Sequence, residues 1–109
     1  VQQQIVVISK NIWKDKMDKD TVLQLASFVS KRMEHGLERF YLLNFNNDDI
    51  WVGNYATNLI ISKIDGQKTL DEIVKEIQDI MTDYSYEEIF NSAFNIASEL
   101  LNKGFLIKK

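Results

Sequence analysis

Residues Asn54–Phe105 read NYATNLIISKIDGQKTLDEIVKEIQDIMTDYSYEEIFNSAFNIASELLNKGF, three helix-sized apolar patterns in succession, each fenced by its own start and stop signals. The first opens at Asn54, whose side-chain oxygen can accept from an orphan N–H of the first turn, and runs through Leu59, Ile60, Ile61 and Ile64 to Asp65-Gly66. Gly66 can take the left-handed stop. The second opens with Thr69-Leu-Asp-Glu72, a capping box that satisfies two orphan donors reciprocally, and sets Ile73, Val74, Ile77 and Ile80 on one face. Ser85-Tyr-Glu-Glu88 repeats the device. The third pattern carries two adjacent stripes, Ile89/Ala93/Ile96/Leu100 and Phe90/Phe94/Ala97/Leu101, before Gly104-Phe105-Leu106. Together they exceed the roughly 100° of arc that seats a surface helix on a core, which leaves an edge of that face to a partner.

Working outward toward the N-terminus, Phe40-Tyr-Leu-Leu-Asn-Phe45 and Ile50-Trp51-Val52 are aromatic and β-branched runs separated by Asn46-Asn-Asp-Asp49. Turn residues that bond their own backbone between two such runs read as a hairpin. Ahead of it, Asp18 or Asp20 can cap a helix with the face Val22, Leu25, Ala26, Val29 and Met33, ending at Gly36. Ile5-Val-Val-Ile8 reads as a short strand. The expectation is an α+β domain with a short antiparallel sheet packed on three C-terminal helices. One domain covers 1–109, with a strand–helix extension over 1–39 in front of a core at 40–109.

Composition narrows the chemistry. At 109 residues, 45% hydrophobic and 27% charged, the chain suits one core and is too short for two. It has no cysteine, which excludes disulfides, thiolate metal sites and a cysteine nucleophile. Thirteen basic against 16 acidic residues, net −3, create no overall attraction to phosphate or to an anionic membrane. No apolar run approaches the roughly 18 residues of a membrane span, and Gln2-Gln-Gln4 before Ile5 is not the basic-then-apolar pattern of a signal peptide. A cytoplasmic location is the expectation, with no cofactor, no nucleic acid and no membrane.

The hairpin followed by Ile64-Asp65-Gly66, Thr69-Leu-Asp-Glu-Ile73 and a long apolar helix ending Leu101-Asn-Lys-Gly-Phe-Leu106 resembles the PqqD-like family over about residues 40–107. These RiPP recognition elements are small winged-helix domains that hold the leader of a ribosomally made precursor peptide while a separate enzyme modifies its core. The resemblance implies a winged-helix-like fold and a partner enzyme such as a radical SAM protein or a cyclase. Family members usually have a third strand just ahead of the hairpin, where this sequence reads as the helix near 19–35.

The binding chemistry stands without the family name. An edge strand offers unpaired N–H and C=O groups on which an extended peptide docks as one more strand, with side-chain pockets adding selectivity. Ile50-Trp51-Val52-Gly53 is the strand suited to this. In the family the leader lies between the strand before the first core helix and the last helix. Carried onto this chain, that puts Ile50, Trp51, Val52 and Gly53 on one wall and Phe90, Asn91, Phe94, Asn95 and Ser98 on the other.

Plainer readings compete with each candidate. Phe90 and Phe94 serve a core first in a domain this small, and the indole of Trp51 suits either a wet groove or a half-buried sheet face. His35 has no neighbouring ligand partner and is assigned no catalysis. Asp71-Glu72 and Glu87-Glu88 resemble acid–base pairs, but first-turn positions already explain them as caps. No base–nucleophile or metal set can be assembled, so the chemistry is expected to lie with a partner. The alternative function is a winged-helix DNA-binding regulator with residues 86–103 as recognition helix. Its first turn carries Glu87-Glu88 and its far end only Lys103, a poor match to phosphate.

Overall fold

A computed structural model describes residues 17–34 and 39–109. In chain order the elements are β1 (Leu23–Leu25), β2 (Val29–Glu34), β3 (Arg39–Asn44), β4 (Asp49–Gly53), α1 (Tyr55–Lys63), α2 (Leu70–Ile80), α3 (Tyr86–Asn102) and β5 (Leu106–Lys108). The architecture is α+β, with two antiparallel sheets and three helices, consistent with a winged-helix-like fold. One sheet runs β2-β3-β4 and the other is a β1-β5 ribbon. The strand foreseen at residues 5–8 lies outside the described residues, as do His35 and Gly36. No helix among the described residues is long and apolar enough to cross a membrane.

Each helix starts at its cap. The Asn54 side chain accepts from the Thr57 N–H, while Thr69/Glu72 and Ser85/Glu88 both close complete capping boxes. Gly66 and Gly104 take positive φ after α1 and α3, as chain reversals without a Cβ allow.

The helix read near 19–35 is overturned over the described residues: Val22 bridges to Thr69, and the other apolar positions fall on β1, a turn and β2. Val22, Leu25, Ala26, Val29 and Met33 do fit a helical period, but long-range pairing decides the backbone here. Leu23–Leu25 pair with Leu106–Lys108, and Val29–Glu34 pair with Arg39–Asn44. The Val29 N–H bonds the Ala26 carbonyl to turn the chain between the two strands. Asp18 caps a turn, accepting from the Asp20 N–H at 2.9 Å and the Thr21 hydroxyl at 3.4 Å. Residues 17–34 are thereby woven into both sheets.

Two buried clusters meet along α3. Ile73, Val74 and Ile77 of α2 pack with Ile60, Ile89 and Ala93, while Phe40 and Leu42 of β3 pack with Leu23, Ile61, Ala97, Leu100, Phe105 and Leu106. Ala93 and Ala97 are fully buried, and their small side chains let neighbouring elements approach α3 closely. Burying each large side chain contributes about 1.5–3 kcal/mol, so the sheet is held on the helices chiefly through Phe40 and Leu42.

Candidate functional site

Among the described residues β4 is the outer strand of its sheet, and the register shows which of its groups no described strand takes. The Phe45 N–H bonds the Phe28 carbonyl, continuing the β2–β3 register of Val29 with Asn44. Backbone groups alternate sides along an antiparallel strand, so Tyr41 and Leu43 bond toward β2, and Phe40, Leu42 and Asn44 toward β4. Their β4 partners Gly53, Trp51 and Asp49 are therefore spent on the ladder. Ile50 and Val52 turn their N–H and C=O groups to the unpaired edge.

Local chemistry fixes this hairpin. Asn44, buried at its end, accepts from the Asn46 N–H at 2.9 Å, Asn47 accepts from the Asp49 N–H at 3.0 Å, and Asp48 turns the chain at φ 62°. At the other end Gly53 lies under the Phe40 ring. A Cβ there would stand 2.2 Å from Phe40 Cε1 and 2.4 Å from Thr57 Oγ1, so a side chain is excluded by space.

Side chains on β4 alternate between two environments. Trp51 faces the helices, with its ring centroid 5.8 Å from that of Phe40, and its indole N–H donates to Glu99 Oε2 of α3 at 2.5 Å. Ile50 and Val52 face the opposite side of the sheet and are 62% and 52% exposed, next to Leu43 and Tyr41 across the strand. Of the four strand residues read as one wall, Trp51 and Gly53 face inward and Ile50 and Val52 outward.

The α3 candidates are distributed differently from the sequence reading. Glu99 touches β4, and Phe90, nine residues earlier, lies about two and a half turns away on the opposite side of the helix. Phe90 stacks on Tyr86 at 5.9 Å and stands 6.0 Å from Phe94, and both phenylalanines pack against the α2 cluster. That ladder continues to the Tyr86 hydroxyl, which donates to Asp71 at the start of α2 at 2.5 Å. The bond pushes the Tyr86 phenol up to about 12 and holds the Asp71 carboxyl below its usual range, with Lys75 at 3.1 Å adding to the latter. Asn91 and Asn95 are exposed and Ser98 half-buried. Asn95 stands one turn before Glu99 and shares its side.

The stripe of α3 on the Glu99 side is thus Glu88, Ser92, Asn95 and Glu99, at helical i, i+4, i+7, i+11 spacing. At its start, Glu88 and Ser92 border an apolar pocket of about 260 Å³ floored by Ile60, Ile77 and Ile89 and rimmed by Met81 and Tyr84. Sequence reading missed both Glu99 and this pocket. The available signal was Trp51 itself, since an indole N–H brought against a helix needs an acceptor. Glu99 is also ion-paired with Lys103 at 3.6 Å, both side chains about half exposed. Among the described residues no group of three or more His, Asp or Glu side chains is placed to hold a metal. Comparison with protein-family models, with curated proteins and with solved structures finds no match for this chain.

Proposed function

We propose that the chain is a non-catalytic peptide-binding module that takes an extended segment as an added strand on β4 and presents it to a separate modifying enzyme. The observation that carries the reading is the free edge of β4. Ile50 and Val52 direct unpaired backbone donors and acceptors outward along a strand whose inner face is tied to α3 through Trp51 and Glu99. The PqqD-like resemblance suggests a precursor leader as the segment, and β2, paired ahead of the hairpin, supplies the third strand usual in that family. The partner would be a radical SAM protein or cyclase, and the setting a cytoplasmic one.

The regulator reading is weaker on charge. The first turn of α3 presents Glu87 and Glu88 and its last turn no basic residue, whereas duplex binding rests on Lys and Arg contacts to phosphate.

Titration of isotope-labelled protein with synthetic extended peptides, among them any short precursor-like peptide found encoded beside its gene, read by amide shifts, tests the proposal. Shifts at 50–53 and at Asn95 and Glu99 are expected. Shifts confined to 19–34, with 50–53 silent, would move the site to the N-terminal strands and overturn it.

A further inference from the structure

The two sides of the β4 edge differ in chemistry, and an added strand must satisfy both at once. Peptide residues opposite Ile50 and Val52 form hydrogen-bonded pairs, and their side chains emerge on the outer face of the sheet. There they lie beside Ile50 and Val52, both more than half exposed, with Leu43 and Tyr41 in the next strand. β-Branched or aromatic neighbours across strands are the pairs that stabilise such a face. The outward positions are accordingly apolar.

The residue between them, opposite Trp51, makes the closer non-hydrogen-bonded pair, with Cα atoms about 4.5 Å apart, and its side chain points inward toward α3. Two carboxylates from different elements stand on that side. Glu99 reaches the Trp51 indole from α3, and Asp49 lies two residues before Trp51 on the same face of β4, exposed and ion-paired to no described residue. Two cations share this side: Lys103, which approaches Glu99 at 3.6 Å, and Lys31 of β2, whose ammonium is held 5.6 Å from the centroid of the Phe40 ring rather than at either carboxylate. An acidic side chain at the inward position would face both carboxylates, while a Lys or Arg would be attracted by both.

Resting on the strand-addition reading, we infer that this edge selects an extended peptide that alternates apolar, outward-facing residues with basic, inward-facing ones. Backbone pairing supplies affinity, Ile50 and Val52 the apolar register, and Glu99 with Asp49 the charge preference.

Three synthetic peptides of about ten residues test this, at a salt of about 50 mM where surface charge is little screened. One alternates Val with Lys, one alternates Val with Glu, and one is the Val-Lys peptide with alternate backbone amides N-methylated. A Trp13→Phe protein leaves Trp51 as the single indole reporter. The Val-Lys peptide should bind about tenfold or more tighter than Val-Glu, and N-methylation should abolish binding. Glu99→Gln should narrow the preference about threefold or more without weakening Val-Glu. Equal affinity for Val-Lys and Val-Glu, both lost on N-methylation, would overturn the charge preference and leave strand addition standing. Binding of the N-methylated peptide as tightly as its parent would reduce the attraction to net charge and overturn both. No binding of Val-Lys would overturn the inference, and the peptide titration above then judges strand addition by itself.

Discussion

Trp51 donates its indole N–H to Glu99 Oε2 at 2.5 Å, joining residues 48 positions apart and setting the spacing between an edge strand and the last helix. The bond lies at an exposed site, where water can replace a lost acceptor, so removing it costs no more than the bond's own net contribution. Glu99→Leu should lower stability by about 1 kcal/mol, given the half exposure of the carboxylate, and shift Trp51 emission. Glu99→Gln, which keeps an acceptor, should restore most of both. Chemical denaturation of the two variants, read by fluorescence, checks the order.

Val52→Pro should separate binding from folding. Proline lacks an N–H, and the Val52 N–H belongs to the free edge rather than to the β3 ladder, so the sheet loses no bond while an added strand loses a donor. Peptide affinity should fall sharply with a modest change in melting temperature. Trp51→Pro, on the ladder side, should instead unfold the hairpin, which circular dichroism would detect.

Gly53→Ala should destabilise the domain by about 1–3 kcal/mol, the cost of forcing a methyl group into a filled core. The obstruction is the Phe40 ring at 2.2 Å and the Thr57 hydroxyl at 2.4 Å. Thermal unfolding should show a drop of several degrees, and Phe40→Leu in the same chain should recover part of it.

Phe94→Ala should cost about 3 kcal/mol, the low end for a buried phenylalanine because this one is only half-buried. Peptide binding at β4 should survive in the folded fraction, since Phe94 lies five residues, about 140°, around α3 from Glu99. Denaturant midpoints and peptide titration on one sample separate the two effects.

Alkaline stability should depend on Tyr86. Its phenol is raised to about 12 in the folded chain, first by its bond to Asp71, so this contribution is complete below the ordinary tyrosine value near 10. It is lost as pH rises from about 10 through 12. Asp71 has the opposite sign: its depressed value gives stability present above the usual carboxylate range and lost on acidification below it. Tyr86→Phe should flatten the alkaline limb and move Asp71 upward, as phenolate absorbance and carboxyl NMR titrations would report.

Helix starts were legible because their causes are local. Thr69 with Glu72 and Ser85 with Glu88 need only residues three apart, and α2 and α3 begin one residue after each cap. The hairpin was legible for the same reason, through Asn44, Asn47 and Asp48. Residues 22–33 misled because their partners are distant: Leu23 pairs with β5 and is 1% exposed in the cluster of Phe40, Leu100 and Leu106, features that no window around it contains. Phe28-Val29, aromatic and β-branched, was the cue to extended structure. The candidate site was half legible. Trp51 and Gly53 could be read from β4, but which side of α3 turns toward them is set by how α2 and β3 pack on Ala93 and Ala97, and a helical wheel has no such reference direction.

The β1–β5 ribbon ties Leu23 to Lys108, nearly the whole length of the described chain. Residues just before it also hold the first turn of α2, where the Leu70 N–H donates to the Thr21 carbonyl and the Asp71 N–H to the Lys19 carbonyl. Closing so long a loop carries an entropy penalty that grows with its length, and contacts of high sequence separation slow folding. The hairpin and capped helices can therefore assemble early, with the ribbon zipping last and opening first. Amides of β1 and β5 should exchange with solvent faster than those of β3, and loss of the last four residues should loosen the segment around Leu23 before it disturbs the three-stranded sheet.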